Sequence, residues 1–146
     1  MNQPSSRAAE TRVTCELVVH VLVGGEPQVS LPASFHYQRS DPYAVLLSIG
    51  TASTGTVDWI FALDLLREGM SRPVGEGAVL VAPRLSSRGA VVRVVVRSQV
   101  GSAALDIRTS AVADFLDRVH KVVPPGTEGS CVDIDHLVTR LLGTGA

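Results

Sequence analysis

A chain of 146 residues has the length of one domain of common size. Its hydrophobic content of 45% excludes intrinsic disorder, and its net charge of −1 at pH 7 excludes a globally basic nucleic-acid binder. The two cysteines, Cys15 and Cys131, lack metal-type spacing and favour a reducing compartment. No apolar run approaches the roughly 20 residues that span a bilayer. We therefore expect a cytoplasmic protein without direct membrane insertion.

The domain boundaries follow from the polar ends of the chain. Residues 1–10 predict a disordered tail, and residues 143–146 predict a flexible C-terminus, so a single domain is expected over residues 11–142. Within that domain, strands precede helices twice. This order indicates an α+β fold of two antiparallel β-sheet segments, each followed by helices.

The first half of the domain predicts four strands and a helix. Apolar and polar residues alternate from Thr11 to Val23, which is the period of a half-buried strand. Pro32 predicts an edge position or a bulge in the second strand, because proline cannot donate to a ladder. Gly69 predicts a left-handed cap at the end of the helix. The other predicted elements are strands over Val29–Tyr37, Tyr43–Ile49 and Thr56–Phe61, and a helix over Ala62–Glu68.

The second half predicts three strands and two helices. The strands are predicted over Ala78–Ala82, Val91–Arg97 and Ala103–Arg108. A long helix with an apolar stripe follows, capped by Thr109 or Ser110. Asp133 predicts the start of a last helix. Asp133 and His136 also allow a metal site, but a capped helix start explains both residues more simply.

The chain offers no recognisable catalytic constellation, so we expect no enzyme and no cofactor. Its Arg93, Arg97 and Arg108 share a predicted basic sheet face. Such a face can bind single-stranded nucleic acid, especially with aromatic residues for stacking. No aromatic residue interleaves with these arginines, and Asp106 is expected to neutralise part of the patch. A solvated sheet face is therefore favoured, with nucleic-acid binding as the alternative.

Two further sets of residues suggest contacts with other chains. Val18 and Leu22, around His20, make the second face of the first strand apolar, which predicts cover by other protomers in a closed oligomer. Trp59 and Phe61 are expected in the core. The charged residues around them are free either to face a partner or to be solvated, and are Asp58, Arg67 and Glu68.

Four phrases stand out along residues 11–142 of this sequence. They are Thr14–Leu17, Asp41–Val45, the Trp-x-Phe-Ala-x-Asp-Leu-Leu pattern within Val57–Gly69, and Pro124–Glu128. In their order and spacing, these phrases resemble the SsgA-like family of actinomycete sporulation and cell-division proteins.

This resemblance implies a whirly-like fold and a homotrimer. It also implies a non-enzymatic adaptor that recruits or positions the tubulin-like protein FtsZ at the septum of sporulating cells, directly or through an SsgA-like partner. Other members act in septal peptidoglycan processing or chromosome handling, and the whirly-like fold occurs in single-strand nucleic-acid binders. Those roles are the alternatives that the resemblance leaves open.

Overall fold

The computed structural model describes residues 12–23, 26–99 and 101–131. Eight strands and two helices form in this part of the chain, followed by a short 3-10 turn. The strands are β1 (Arg12–Val23), β2 (Glu26–Gln38), β3 (Asp41–Thr51), β4 (Gly55–Ala62), β5 (Val74–Glu76), β6 (Val79–Ser86), β7 (Gly89–Ser98) and β8 (Gly101–Arg108). The helices are α1 (Leu63–Gly69) and α2 (Thr109–Val122), and the turn is Glu128–Cys131.

All described strands join one antiparallel sheet, in the order β4-β3-β2-β1-β8-β7-β6-β5. The α+β class is confirmed, but the expectation of two separate sheet segments is wrong. The two halves fuse because β1 pairs with β2 on one side and with β8 on the other. Val19–Leu22 face Ala104–Ile107 in that second ladder.

Successive side chains of each strand point to opposite sides, so the sheet has two distinct faces. One face is covered by α1 and α2, and its residues form the core with the apolar sides of both helices. Phe35 of β2 stacks on Phe115 of α2 with ring centroids 4.7 Å apart. Phe61 is buried there and Trp59 packs half-buried against the same core, as predicted. We call the opposite side of the sheet the open face.

Several local features differ from what the sequence predicts. The prediction at Pro32 holds only locally. Strand β2 lies between β1 and β3, so it is not an edge strand, and Pro32 sits opposite Val18 without a register shift. The ladder to β3 begins only at Ala33, so Pro32 has no described partner on that side, as its missing N–H donor requires. Helix α2 begins at Thr109 with no side-chain cap. Strand β5 was missed because three residues are too short to display a period.

Gly69 is the last residue of α1 rather than a left-handed cap, and the following Met70 has a right-handed conformation. A Cβ built on Gly69 would lie 2.2 Å from Cγ1 of Val81. Close packing of α1 on β6 therefore requires glycine here.

Some predictions lie outside the described residues. They are the tails over residues 1–10 and 143–146 and the last helix from Asp133. In the part of the chain that is described, no helix has the length and apolar character needed to cross a membrane.

Candidate interaction surface

The open face carries apolar side chains without cover from the described helices. Val18 of β1 is 52% exposed and Ile60 of β4 is 73% exposed. Further apolar residues on this face are half-buried, namely Leu22, Leu46, Leu80 and Val95. An apolar sheet face of this kind is typical of a protein that contacts another chain.

The predicted oligomer residues all lie on the open face. Val18 stands opposite Pro32, while His20 faces Asp106 and Leu22 faces Ala104 across the β1–β8 ladder. Val18 is exposed, and His20 and Leu22 are half-buried. The structure thus brings the three together where sequence alternation placed them. Their role in an oligomer stays a prediction.

Asp106 carries a buried carboxylate on the open face, with 1% of the residue exposed. Arg93, directly opposite on β7, donates from Nε to Oδ1 at 2.8 Å and from Nη2 to Oδ2 at 3.0 Å. This hydrogen bonding raises the pKa of Arg93, against the effect of its burial. The expected neutralisation by Asp106 is confirmed, so Arg93 is a structural residue and not a free cation.

The other two arginines of the predicted nucleic-acid face remain exposed. Arg97 lies two residues beyond Val95 on β7, and Arg108 ends β8 opposite Val91. Neither makes an ion pair with any residue that the structure describes. The predicted face therefore keeps two free arginines of its three.

A cleft of about 420 Å³ lies on the open face over β6, β7 and β8. We call it the basic cleft because two arginines stand among its apolar walls. It is lined by Leu22, Leu80, Ala82, Arg84, Arg93 and Val95, with Ser102 and Ala104. A smaller cavity of about 230 Å³ lies in the other half of the sheet, beside His36, Leu46 and Ile60.

The three charged residues predicted to face a partner do not share one surface. Asp58 lies on the open face of β4, where its carboxylate accepts a 2.7 Å hydrogen bond from Ser48. Arg67 and Glu68 belong to α1, on the covered side of the sheet. Glu68 is exposed and pairs with Arg72 at 2.5 Å. The strand–helix junction therefore does not bring the three onto one surface, and their role in partner contact stays a prediction.

Arg67 is half-buried in a network between α1 and later parts of the chain. Its Nη1 donates to Asp64 at 2.6 Å, its Nε to His120 Nε2 at 3.2 Å and its Nη2 to Glu128 at 3.2 Å. The expectation of an exposed charge at position 67 is therefore wrong. Arg67 thus connects α1 by hydrogen bonds to α2 and to the turn after α2.

Glu128, for which no role was predicted, is the buried acid of this network. Its Oε1 accepts a hydrogen bond from the backbone N–H of Gly126 at 2.9 Å, and its Oε2 faces Arg67. Its own backbone amide lowers the pKa of this carboxyl most, with help from Arg67 and Gly126 and against the effect of burial. Its place at the end of the Pro124–Glu128 phrase was the only signal in the sequence.

Acidification is expected to weaken this network through His120. Burial, and then the charge of Arg67, lower the pKa of His120 from 6.5, although Asp117 and Glu128 act in the opposite direction. Below pH 6.5 the unfolded chain takes up a proton that the folded protein still rejects. The contribution of neutral His120 to the free energy of unfolding is therefore complete above pH 6.5 and is lost as the pH falls through the lowered pKa of the folded protein.

Urea midpoints at pH 7, 6 and 5 measure this loss. His120→Gln keeps an acceptor for Arg67 but cannot become charged. It should therefore reduce the fall of the urea midpoint between pH 7 and pH 5. Lys121→Gln, the neighbouring exposed position, serves as the control and should leave it unchanged. The same decline in the His120→Gln protein would show that other groups cause it.

Among the described residues, no group of three or more His, Cys, Asp or Glu side chains is placed to hold a metal ion. What the open face offers is apolar contact area, a buried ion pair and exposed arginines. These features suit the recognition of another molecule.

Comparison with known proteins adds independent information. The family model described as the Streptomyces sporulation and cell division protein SsgA matches residues 31–128. The sporulation-specific cell division protein SsgB of Streptomyces coelicolor is 40% identical over 132 residues, which cover 90% of this chain and 96% of that protein. SsgB of Kineococcus radiotolerans is 38% identical, over 95% of this chain and 85% of the relative.

Solved structures agree with the sequence relatives. One, described with mutations in SsgB that correlate to longitudinal cell division during sporulation of Streptomyces coelicolor, matches with a TM-score of 0.78. It is 41% identical over 83% of this chain and 95% of its own. The SsgA-like sporulation-specific cell division protein from Thermobifida fusca matches with a TM-score of 0.80, at 32% identity over 89% of this chain and 95% of its own. This chain therefore belongs to the SsgA family of sporulation and cell division proteins.

Proposed function

We propose that this protein is a non-enzymatic adaptor in sporulation-specific cell division, which recruits or positions FtsZ at septum sites. The curated relatives that cover nearly all of the chain are named for sporulation-specific cell division. The adaptor role goes beyond those names. The observation that carries it is the open face, where Val18 and Ile60 expose apolar side chains on a rigid sheet.

The proposal includes assembly into a homotrimer. Val18 and Leu22 form an apolar strip, with His20 between them, that neighbouring protomers can cover in a closed ring. Light scattering at micromolar concentration should give a mass above that of one chain. Val18→Asp with Leu22→Asp should reduce the mass to that of a monomer and leave each protomer partly folded. A monomer mass for the unaltered protein contradicts this part of the proposal.

Asp58 and Glu68 are the exposed charges that we propose to test for partner contact. Asp58 lies on the open face near Ile60, whereas Glu68 lies on the opposite side of the sheet. A contact that uses the open face therefore predicts loss of binding on reversal of Asp58 alone. Arg67 is a poor probe, because its reversal places a negative charge beside Asp64 and Glu128 and so disturbs folding.

Co-sedimentation with FtsZ polymers, with and without an SsgA-like protein, tests the proposed function. We expect enrichment of the protein in the polymer pellet in at least one of the two conditions. Asp58→Lys should weaken that enrichment roughly tenfold, as is usual for a well-placed interface charge. Glu68→Lys makes the same charge change away from the open face and is the matched control. No enrichment in either condition removes the proposed function.

The alternatives have their own readouts in the same preparation. A gel shift of short single strands at physiological salt, lost on Arg97→Glu with Arg108→Glu, would favour nucleic-acid binding. A fluorescent fusion in sporulating cells should collect at the septum. Septal localisation without FtsZ binding would favour a paralogue that acts in septal peptidoglycan processing, and association with the nucleoid would favour chromosome handling.

A further inference from the structure

The register of the sheet aligns the residues of the basic cleft in rows that cross the strands. Leu22, Ala104, Val95 and Leu80 stand opposite one another in turn, from β1 through β8 and β7 to β6. Neighbouring strands lie about 4.8 Å apart, so this apolar row is roughly 14 Å long. It forms a continuous apolar floor.

Charged rows flank the apolar row on both sides. On one side lies Arg97, two residues beyond Val95 on the same strand. On the other side stand Arg93 and Asp106, and one row further Arg84 and Arg108 lie on either side of Val91. Successive rows are about 7 Å apart, so cations lie within reach of a chain placed along the apolar row.

The charges on this part of the open face do not balance. The described side chains that β6, β7 and β8 present there include four arginines against the single Asp106, an excess of three positive charges. Asp106 is already satisfied by Arg93, and it fixes the orientation of that guanidinium. Arg84, Arg97 and Arg108 are exposed and make no ion pair with described residues.

We propose that the basic cleft binds an extended, acidic segment of a protein partner. Its aliphatic side chains pack on Ala104, Val95 and Leu80, and its carboxylates pair with Arg84 and Arg97. An extended chain turns alternate side chains to one side, which suits a narrow apolar row between cations. None of the residues that line the cleft is aromatic, so the floor offers no surface on which a nucleic-acid base can stack. The inference rests on the proposed adaptor function, since it names the kind of partner segment that the adaptor recognises.

Fluorescence anisotropy with the full chain tests this assignment. The probe is a labelled seven-residue peptide in which glutamate alternates with leucine and valine. Two comparison peptides replace either the glutamates by lysine or the aliphatic residues by serine. We expect saturable binding of the probe below about 1 mM, at the weak end of specific recognition, and at least tenfold weaker binding of both comparison peptides.

Variants assign the binding to the cleft. Arg84→Glu with Arg97→Glu should weaken it more than tenfold by reversing the charge on both sides of the apolar row. Ala104→Trp should weaken it similarly without any change of charge, because the indole fills the centre of that row. Arg72→Glu with Lys121→Glu changes the net charge equally on the helix side and should leave binding intact. Circular dichroism and thermal unfolding verify the fold of each variant.

Several results would overturn the inference. They are absence of saturable binding, equal binding of the serine peptide, and a loss in the Arg72→Glu, Lys121→Glu control as large as in the cleft variants. Displacement of the probe by single-stranded DNA at physiological salt would assign the cleft to nucleic acid. A fall in oligomer mass on Ala104→Trp would assign it to a second copy of this chain.

The inference and the proposed function fail in different ways. If FtsZ polymers retain the cleft variants as well as the unaltered protein, the cleft assignment is wrong and the adaptor function stands. If the peptide binds the cleft but neither FtsZ nor an SsgA-like protein binds the chain, the cleft stands and the adaptor function is wrong.

Discussion

Gly69→Ala is expected to destabilise the protein by about 2 kcal/mol, although alanine normally stabilises a helix interior relative to glycine by about 1 kcal/mol. Gly69 is buried at the end of α1, directly against β6. A Cβ there would lie 2.2 Å from Cγ1, 2.6 Å from Cβ and 3.2 Å from the backbone carbon of Val81. The last two atoms belong to or adjoin the backbone of β6, so the clash cannot be relieved by a rotamer change alone.

Thermal unfolding measures this effect, and a loss of about 2 kcal/mol lowers the midpoint by about 4–8 °C in a chain of this size. Gly75→Ala is the matched control, since a Cβ at that position would meet Leu80 Cδ1 at an ordinary 3.4 Å. It should change stability by less than about 0.5 kcal/mol.

The contact with Val81 can be isolated by a double-mutant cycle. Val81→Ala removes Cγ1 but leaves the Cβ, so it should relieve part of the penalty of Gly69→Ala. We expect a favourable coupling of about 1 kcal/mol between the two changes. A stabilising effect of Gly69→Ala alone would mean that α1 moves away from β6 freely, and would contradict the close packing.

The alternation of apolar and polar residues correctly predicted which face of the sheet the residues of the first strand would occupy. The strand that became β1 has its two faces where the pattern placed them, with Val18, His20 and Leu22 on the open face. The pairing of β1 with β8 was not predictable, because an alternating pattern specifies a face and not a neighbour. The single eight-stranded sheet depends on that pairing.

The roles of the charged residues were predictable only where the sheet brings near neighbours together. Arg93 and Asp106 lie on strands that were expected to form a hairpin, so their pairing could be anticipated. Arg67 and Glu128 are separated by 61 positions, and Glu128 lies in a turn without any periodic signal. The sequence therefore predicted an exposed charge on a helix at Arg67, although in the structure this residue is the centre of a hydrogen-bond network.

Arg93→Met is expected to destabilise the protein by about 3 kcal/mol, because removal of one partner of a buried ion pair leaves the other charge uncompensated. The charge left behind is the carboxylate of Asp106, which is 1% exposed and receives two hydrogen bonds from Arg93. Methionine preserves most of the apolar stem, so the loss comes from the guanidinium and not from packing. The urea unfolding midpoint is the measurement.

Arg97→Met is the matched control. It is the same substitution two residues further along β7 and on the same face, at an exposed arginine without an ion pair among the described residues. Its effect should stay within about 0.5 kcal/mol. The contrast between the two positions therefore measures the buried carboxylate rather than the loss of an arginine from this strand.

The double variant Arg93→Met with Asp106→Leu shows whether the loss of stability comes from the unpaired carboxylate of Asp106 or from the loss of the ion pair itself. These positions are directly opposite on β7 and β8, so the two apolar side chains can form a cross-strand pair. Replacement of both members should restore stability to within about 1 kcal/mol of the unaltered protein, because no buried charge remains. If Arg93→Met alone costs no more than Arg97→Met, Asp106 has found another partner. His20, which faces it across the β1–β8 ladder, is the nearest titratable residue in the register to supply one.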